Sequence, residues 1–158
     1  MKRYLLVVII VMLVGISVWQ YSIQTTLDDV VRFMDEDTTD THPWQPYYQC
    51  TSFAMNLQYN ASLDGLKCGY VIIAYEMNGI SQSHAAVMFD TIDVGVVMFE
   101  PQTDEQIHLP QSNLVTILGV EYDFISAAGW WCIVKSDDTC LYQDASVVFY
   151  GDGTYELR

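Results

Sequence analysis

Apolar positions along this chain follow three different patterns. The first is a continuous run. Lys2-Arg3 is followed by sixteen uncharged residues, Tyr4 to Trp19, and extension to Ile23 gives twenty, interrupted by Ser17, Gln20 and Ser22. Twenty helical residues at ~1.5 Å each match the ~30 Å hydrocarbon core of a bilayer. Trp19 and Tyr21 fall where an interfacial aromatic belt would lie. The basic pair before the run and the acidic chain after it place the N-terminus in the cytoplasm and the rest outside. This predicts a single-pass cell-membrane protein with its C-terminal domain outside. A cleaved signal peptide and a secreted product form the alternative, with Gly15-Ile16-Ser17 as a small-x-small site among bulky neighbours.

The second pattern is helical. Leu27, Val30, Val31 and Met34 recur at i, i+3, i+4 and i+7 within residues 24–37. A loop follows through His42-Pro43-Trp44-Gln45-Pro46, and Phe53, Ala54 and Leu57 mark a second helix from Cys50 to about Gln58. The third pattern is strand-like. Cys68–Met77 is rich in β-branched and aromatic residues, Asn78-Gly79 is a hairpin signal, and His84–Phe89 and Val96–Glu100 continue the series, the last stopped by Pro101. Shorter strands are expected at 106–109, 114–122, 131–135 and 146–150, with Asp152-Gly153 turning a last hairpin. Together these predict an α+β fold, a helix packed on an antiparallel sheet behind an N-terminal transmembrane helix. The organisation expected is a signal-anchor or transmembrane segment at 1–23, a helix and linker at 24–46, and a domain at 47–158.

Composition narrows the function classes. In 158 residues, 51% are apolar and 16% charged, so the chain has the material for a single buried core. From Tyr4 onward it carries 20 acidic residues against 4 basic ones, a balance of −16. Such a surface repels phosphate backbones and excludes nucleic acid as a partner. The acidic pairs lack EF-hand spacing, and no cysteine pair is CxxC, so neither a metal nor another cofactor is expected.

Four cysteines, Cys50, Cys68, Cys132 and Cys140, allow three full pairings. Cys132 and Cys140 flank seven residues able to form a hairpin, a candidate disulfide in an exported chain. Cys68 opens an apolar strand and reads as a buried thiol. Cys50 sits at a loop-to-helix junction, where helix N–H groups and the dipole stabilise a thiolate. His84 opens a predicted strand 34 residues later, and Glu100 closes the neighbouring one, 16 residues further on. An antiparallel hairpin of these strands brings His84 and Glu100 to the same end. That geometry selects Glu100 among the acidic residues as the group that orients the imidazole.

Around these three positions the sequence resembles the transglutaminase-like superfamily. Tyr47-Tyr-Gln-Cys-Thr-Ser-Phe-Ala54 is similar to the Tyr-x-Gln-Cys-x-x-Phe-Ala segment of its nucleophile, and Gly65-Leu-Lys-Cys-Gly-Tyr-Val71 to the segment entering its first core strand. His84-Ala-Ala-Val is similar to His-Ala-Trp-Val, and Phe99-Glu-Pro-Gln-Thr103 to hydrophobic-Asp-Pro-Thr. The likeness spans about residues 44–109. It departs at Glu100, usually Asp, and at Ala86, usually Trp. The resemblance implies a papain-like core over 47–158 and a membrane-anchored, extracytoplasmic cysteine hydrolase or acyltransferase. The substrate would be a protein or peptide, attacked at amide bonds through a Cys50-His84-Glu100 triad. An oxyanion would be met by the Cys50 N–H and a second donor from Trp44, Gln45 or Gln49. The alternative it leaves is an inactive cell-envelope binding protein.

Overall fold

The computed structural model describes residues 25–108, 113–134, 140–150 and 154–157. Two α-helices, α1 (Leu27–Glu36) and α2 (Cys50–Leu63), precede eight strands: β1 (Cys68–Met77), β2 (Ile80–Thr91), β3 (Gly95–Phe99), β4 (Gln106–Ile107), β5 (Leu114–Ile117), β6 (Val120–Val134), β7 (Cys140–Phe149) and β8 (Tyr155–Leu157). The strands form one antiparallel sheet in the order β4-β3-β2-β1-β6-β7-β8, with β5 paired to the first residues of β6.

The Asn78-Gly79 turn sets the register from which the site follows. Both residues have positive φ, 56° and 77°, as a two-residue hairpin turn requires. Met77 then lies opposite Ile80, and each step away from the turn follows: Tyr75 opposite Gln82, Ile73 opposite His84, Val71 opposite Ala86. A slip of one residue would turn His84 to the other face.

The sheet curls into a half-barrel. Its curl is tight enough for Tyr155, on the last strand, to accept a hydrogen bond from the Val96 N–H on β3 at 3.2 Å. Val71, Ile73, Ala86, Met88, Met98, Val115, Ile117, Trp131, Val147 and Phe149 fill the interior. Gly129 permits this packing: a Cβ there would fall 2.7 Å from Met88 Sδ and 3.1 Å from Val71.

The opposite face of β1–β3 carries the helices. Val30, Phe33 and Met34 of α1 and Ala54, Leu57 and Ala61 of α2 pack with Ala85, Val87, Phe89, Val97 and Phe99. Phe89 sits edge-on to both Phe33 and Phe99, with centroids 6.1 and 6.0 Å apart. α1 begins with a capping box between Thr26 and Asp29. The β2–β3 turn holds its first residues: Asp93 Oδ1 accepts from the Leu27 N–H at 3.1 Å, and the Ile92 N–H donates to the Thr25 carbonyl at 3.0 Å.

The expected α+β, papain-like or transglutaminase-like core is therefore corrected. Sheet dominates, and the larger buried cluster lies inside its curl, away from the helix–sheet contact. The physical reason lies in β6 and β7. They are long strands whose inward residues meet the interior of β1–β3 across the curl, where the sequence reading had short, separate strands. The expected strand at 114–122 is in fact a hairpin, turned at Leu118-Gly119 with φ of 50° and 75°. Leucine is not a usual turn residue, so Gly119 alone marked the break, a weaker signal than Asn78-Gly79. In α1 the buried stripe is Val30, Phe33 and Met34, and Val31 faces solvent. The expected transmembrane helix at 1–23 lies outside the described residues. Among the described residues, no helix is long and apolar enough to cross a membrane. The side chains of Cys132 and Cys140 also lie outside the description, while the backbone register sets Cys132 opposite Tyr142 and Cys140 opposite Val134.

Candidate active site

β3 pairs with β2 only from Val87 to Thr91. Beyond Val87, toward the Asn78-Gly79 turn, β2 has β1 on one side and, among the described residues, no strand on the other. The start of α2 fills the first part of that gap. Cys50 is the first helical residue, and its N-cap, Gln49, makes no side-chain capping bond. No backbone carbonyl among the described residues accepts from the Cys50 N–H. An uncapped helix start leaves amide donors and the positive end of the dipole facing the sulfur.

Three side chains meet here. His84 Nε2 and Glu100 Oε2 are 2.6 Å apart, with the two residues 7% and 1% exposed. The other ring nitrogen is left for Cys50, whose thiol lies close enough for the two groups to shift each other's pKa. Glu100 follows β3 directly. The register carries it level with Ala86, so it shares the inward face on which His84 lies two residues on. Its remaining oxygen, Oε1, accepts from the Gln102 N–H at 3.2 Å. Its carbonyl accepts from the Asp104 N–H at 2.9 Å, which closes the turn after Pro101. A buried carboxylate with each oxygen occupied is a rigid orienting group.

Electrostatics separate charge across the pair. The hydrogen bond to His84 lowers the Cys50 pKa below the ordinary thiol range against the opposing effect of burial; the Ala85 and Thr51 N–H groups and the His84 charge add to it. Burial alone would depress the His84 pKa, but hydrogen bonds and charge from Cys50 and Glu100 raise it to about 9. Both shifts favour the proton on the imidazole over the proton on sulfur, and so favour thiolate, the nucleophilic form. Cys68 is the contrast. It is a free thiol like Cys50, but wholly buried, and desolvation raises its pKa well above the ordinary thiol value.

The structure thus brings Cys50, His84 and Glu100 together. The expected second oxyanion donors, Trp44, Gln45 and Gln49, lie on the segment that leads into α2. Gln45 and Tyr48 exchange backbone bonds of 3.1 and 2.8 Å, and Gln49 Nε2 donates to the Pro46 carbonyl at 2.8 Å. Trp44 is 60% exposed on the rim. Two participants escaped the sequence reading. The Ala85 N–H acts through backbone, which side-chain motifs do not report. Tyr75 lies near enough for the Cys50 charge to raise its pKa, after desolvation and Tyr122, against whose ring it rests at 4.5 Å. Counting back from Asn78-Gly79 places Tyr75 two residues past the partner of His84, and that count was the available signal. Among the described residues, no group of three or more His, Cys, Asp or Glu is placed to hold a metal.

No family model matches the chain, and no curated protein does either.

Proposed function

We propose that this protein is a cysteine hydrolase or acyltransferase acting on amide bonds of peptides or proteins. The observation that carries the proposal is the convergence of a half-buried thiol at an open helix start with a buried His84–Glu100 pair. In this reading the Cys50 thiolate attacks the carboxamide carbon, and the oxyanion is met by the Cys50 N–H. His84 gives its proton to the departing amine as the C–N bond breaks, leaving a thioester. Water, or a second amine, then attacks the thioester and passes a proton to His84 as the C–S bond breaks. Glu100 holds the ring throughout. The order of nucleophile, histidine and acid, with the segments around them, supports chemistry of the transglutaminase-like kind. The apolar run at 4–23 supports action outside the membrane, tethered or released.

A binding-only protein on the same scaffold was the other expectation. A bond between Cys50 and Cys68 would have favoured it, and both are free thiols. The test is alkylation of the full chain by iodoacetamide near pH 6, followed by intact mass. A thiolate held below the ordinary pKa of ~8.5 labels faster than glutathione at that pH. Labelling of Cys50 no faster than glutathione, together with Cys50→Ala leaving peptide cleavage and amine incorporation unchanged, would overturn the proposal.

A further inference from the structure

β2 continues beyond the catalytic pair as an unpaired edge. Ile80, Ser81, Gln82 and Ser83 are all exposed, and β1 is their only strand partner among the described residues. The two-residue turn pairs Met77 with Ile80, so the backbone groups of Ile80, Gln82 and His84 face β1 and the Ala85 N–H points away from it, to the side on which Cys50 lies. Backbone groups alternate along a strand, so the N–H and C=O of Ser83 and Ser81 point to that same side. The described structure gives them no hydrogen-bond partner there.

Cys50 therefore lies on the side of β2 where a neighbouring strand would pair. A strand laid at ~4.8 Å from β2, along Ser81 and Ser83, therefore runs end-on into the nucleophile. Exposed edges are ordinarily blunted by lysine, proline or a bulge. Ile80-Ser-Gln-Ser83 has none of these, and its pairing with β1 is unbroken. The acyl part of a substrate stays bonded to sulfur while the amine departs, so it must be held beside the sulfur through both steps.

We infer that the substrate is an extended peptide segment whose acyl side adds as a strand to the free edge of β2 at Ser81 and Ser83. This deepens the proposed function and rests on it. Main-chain pairing supplies the affinity in such a mode, and side-chain pockets tune it. With 20 acidic residues against 6 basic ones in the whole chain, an acidic segment is disfavoured.

The experiment compares three alkylating agents on the full chain: iodoacetamide, acetyl-tetraalanyl chloromethyl ketone, and the same ketone with its two central amides N-methylated. N-methylation removes the strand-forming donors and leaves the electrophile intact. The unmethylated ketone should label Cys50 at least about tenfold faster than the methylated one, a loss equivalent to about 1.4 kcal/mol. After labelling, amide exchange at Ser81 and Ser83 should slow relative to the carbamidomethylated protein. Ser81→Pro deletes one outward donor and spares the bonds to β1. It should lower the ratio of ketone to iodoacetamide rates, a ratio that cancels any change in the thiol itself. Equal rates for the two ketones, with rapid iodoacetamide labelling, would overturn the edge-binding inference and leave the catalytic reading standing. Slow labelling by iodoacetamide would overturn the catalytic reading, and this inference with it.

Discussion

The two halves of β2 do different work within one strand. From Ala85 to Phe89 every residue is buried: Ala86 and Met88 face the barrel interior, and Ala85, Val87 and Phe89 face the helices. From Ile80 to Ser83 every residue is exposed, with one flank unpaired. His84 stands at the junction. The buried half holds the His84–Glu100 pair rigid, because Phe89 and Val87 fix the strand against α1, α2 and β3. The open half leaves the approach to Cys50 clear of other strands among the described residues. The lesson is that the site lies where β3 stops: a longer β3 would satisfy the edge and leave no room for α2 beside β2.

Substitutions in the two halves should therefore fail differently. The largest effect is expected for Phe89→Ala, which removes a fully buried ring from the contact of Phe33 and Phe99. It should lower unfolding stability by about 3–5 kcal/mol, read from urea or thermal denaturation. An effect under about 1 kcal/mol would show that the outer face is not tightly packed. Glu100→Gln keeps the shape and removes the charge beside His84. Turnover should fall about 100-fold, within the range for acid–base catalysis. Because Glu100 raises the His84 pKa, the ring's NMR titration should move down from about 9 in this variant. In the unaltered protein, the imidazolium is present below that value and lost as pH rises through it. The rate of amide cleavage should therefore decline above about pH 9, and that alkaline limb should shift to lower pH in Glu100→Gln.

The smallest effect concerns the turn behind Glu100. Asp104 sits at φ 57°, its Oδ1 is buried without a hydrogen-bond partner among the described residues, and burial followed by Asp40, Asp37 and Asp35 raises its pKa to about 7. A carboxyl whose pKa is raised on folding lowers stability once pH exceeds its unfolded value, an effect that reaches its full size above about 7. Asp104→Asn keeps the left-handed backbone conformation and removes the charge. The carboxyl is partly exposed and screened by solvent, so the gain near pH 7.5 should be only about 1 kcal/mol, vanishing near pH 4. A gain of equal size at both pH values would assign the effect to something other than charge.

Legibility in the sequence followed local chemistry. Asn78-Gly79 announced its hairpin, and with it the facing of Ile73 and His84. Cys50 announced itself by its place between a proline-marked loop and an apolar helical stripe. Glu100 could be picked out because Pro101 ends β3. What stayed hidden was non-local. Nothing in Leu118 signals a turn, and the meeting of Tyr155 with Val96 joins residues 59 apart. The curl that makes the fold a half-barrel depends on such distant contacts, and so the α+β expectation failed. The free edge of β2 was hidden too, since it depends on which partner β3 lacks.

The anchoring of α1 at the β2–β3 turn has a directional consequence. Thr25 and Leu27 are fastened to Ile92 and Asp93, at the end of β2 remote from the nucleophile. From His84 to Thr91 is seven steps along the strand, about 23 Å. The polypeptide thus joins the folded body at the pole opposite Cys50; were the proposed anchor at 4–23 to hold it to a bilayer, the cleft would face outward, clear of the lipid.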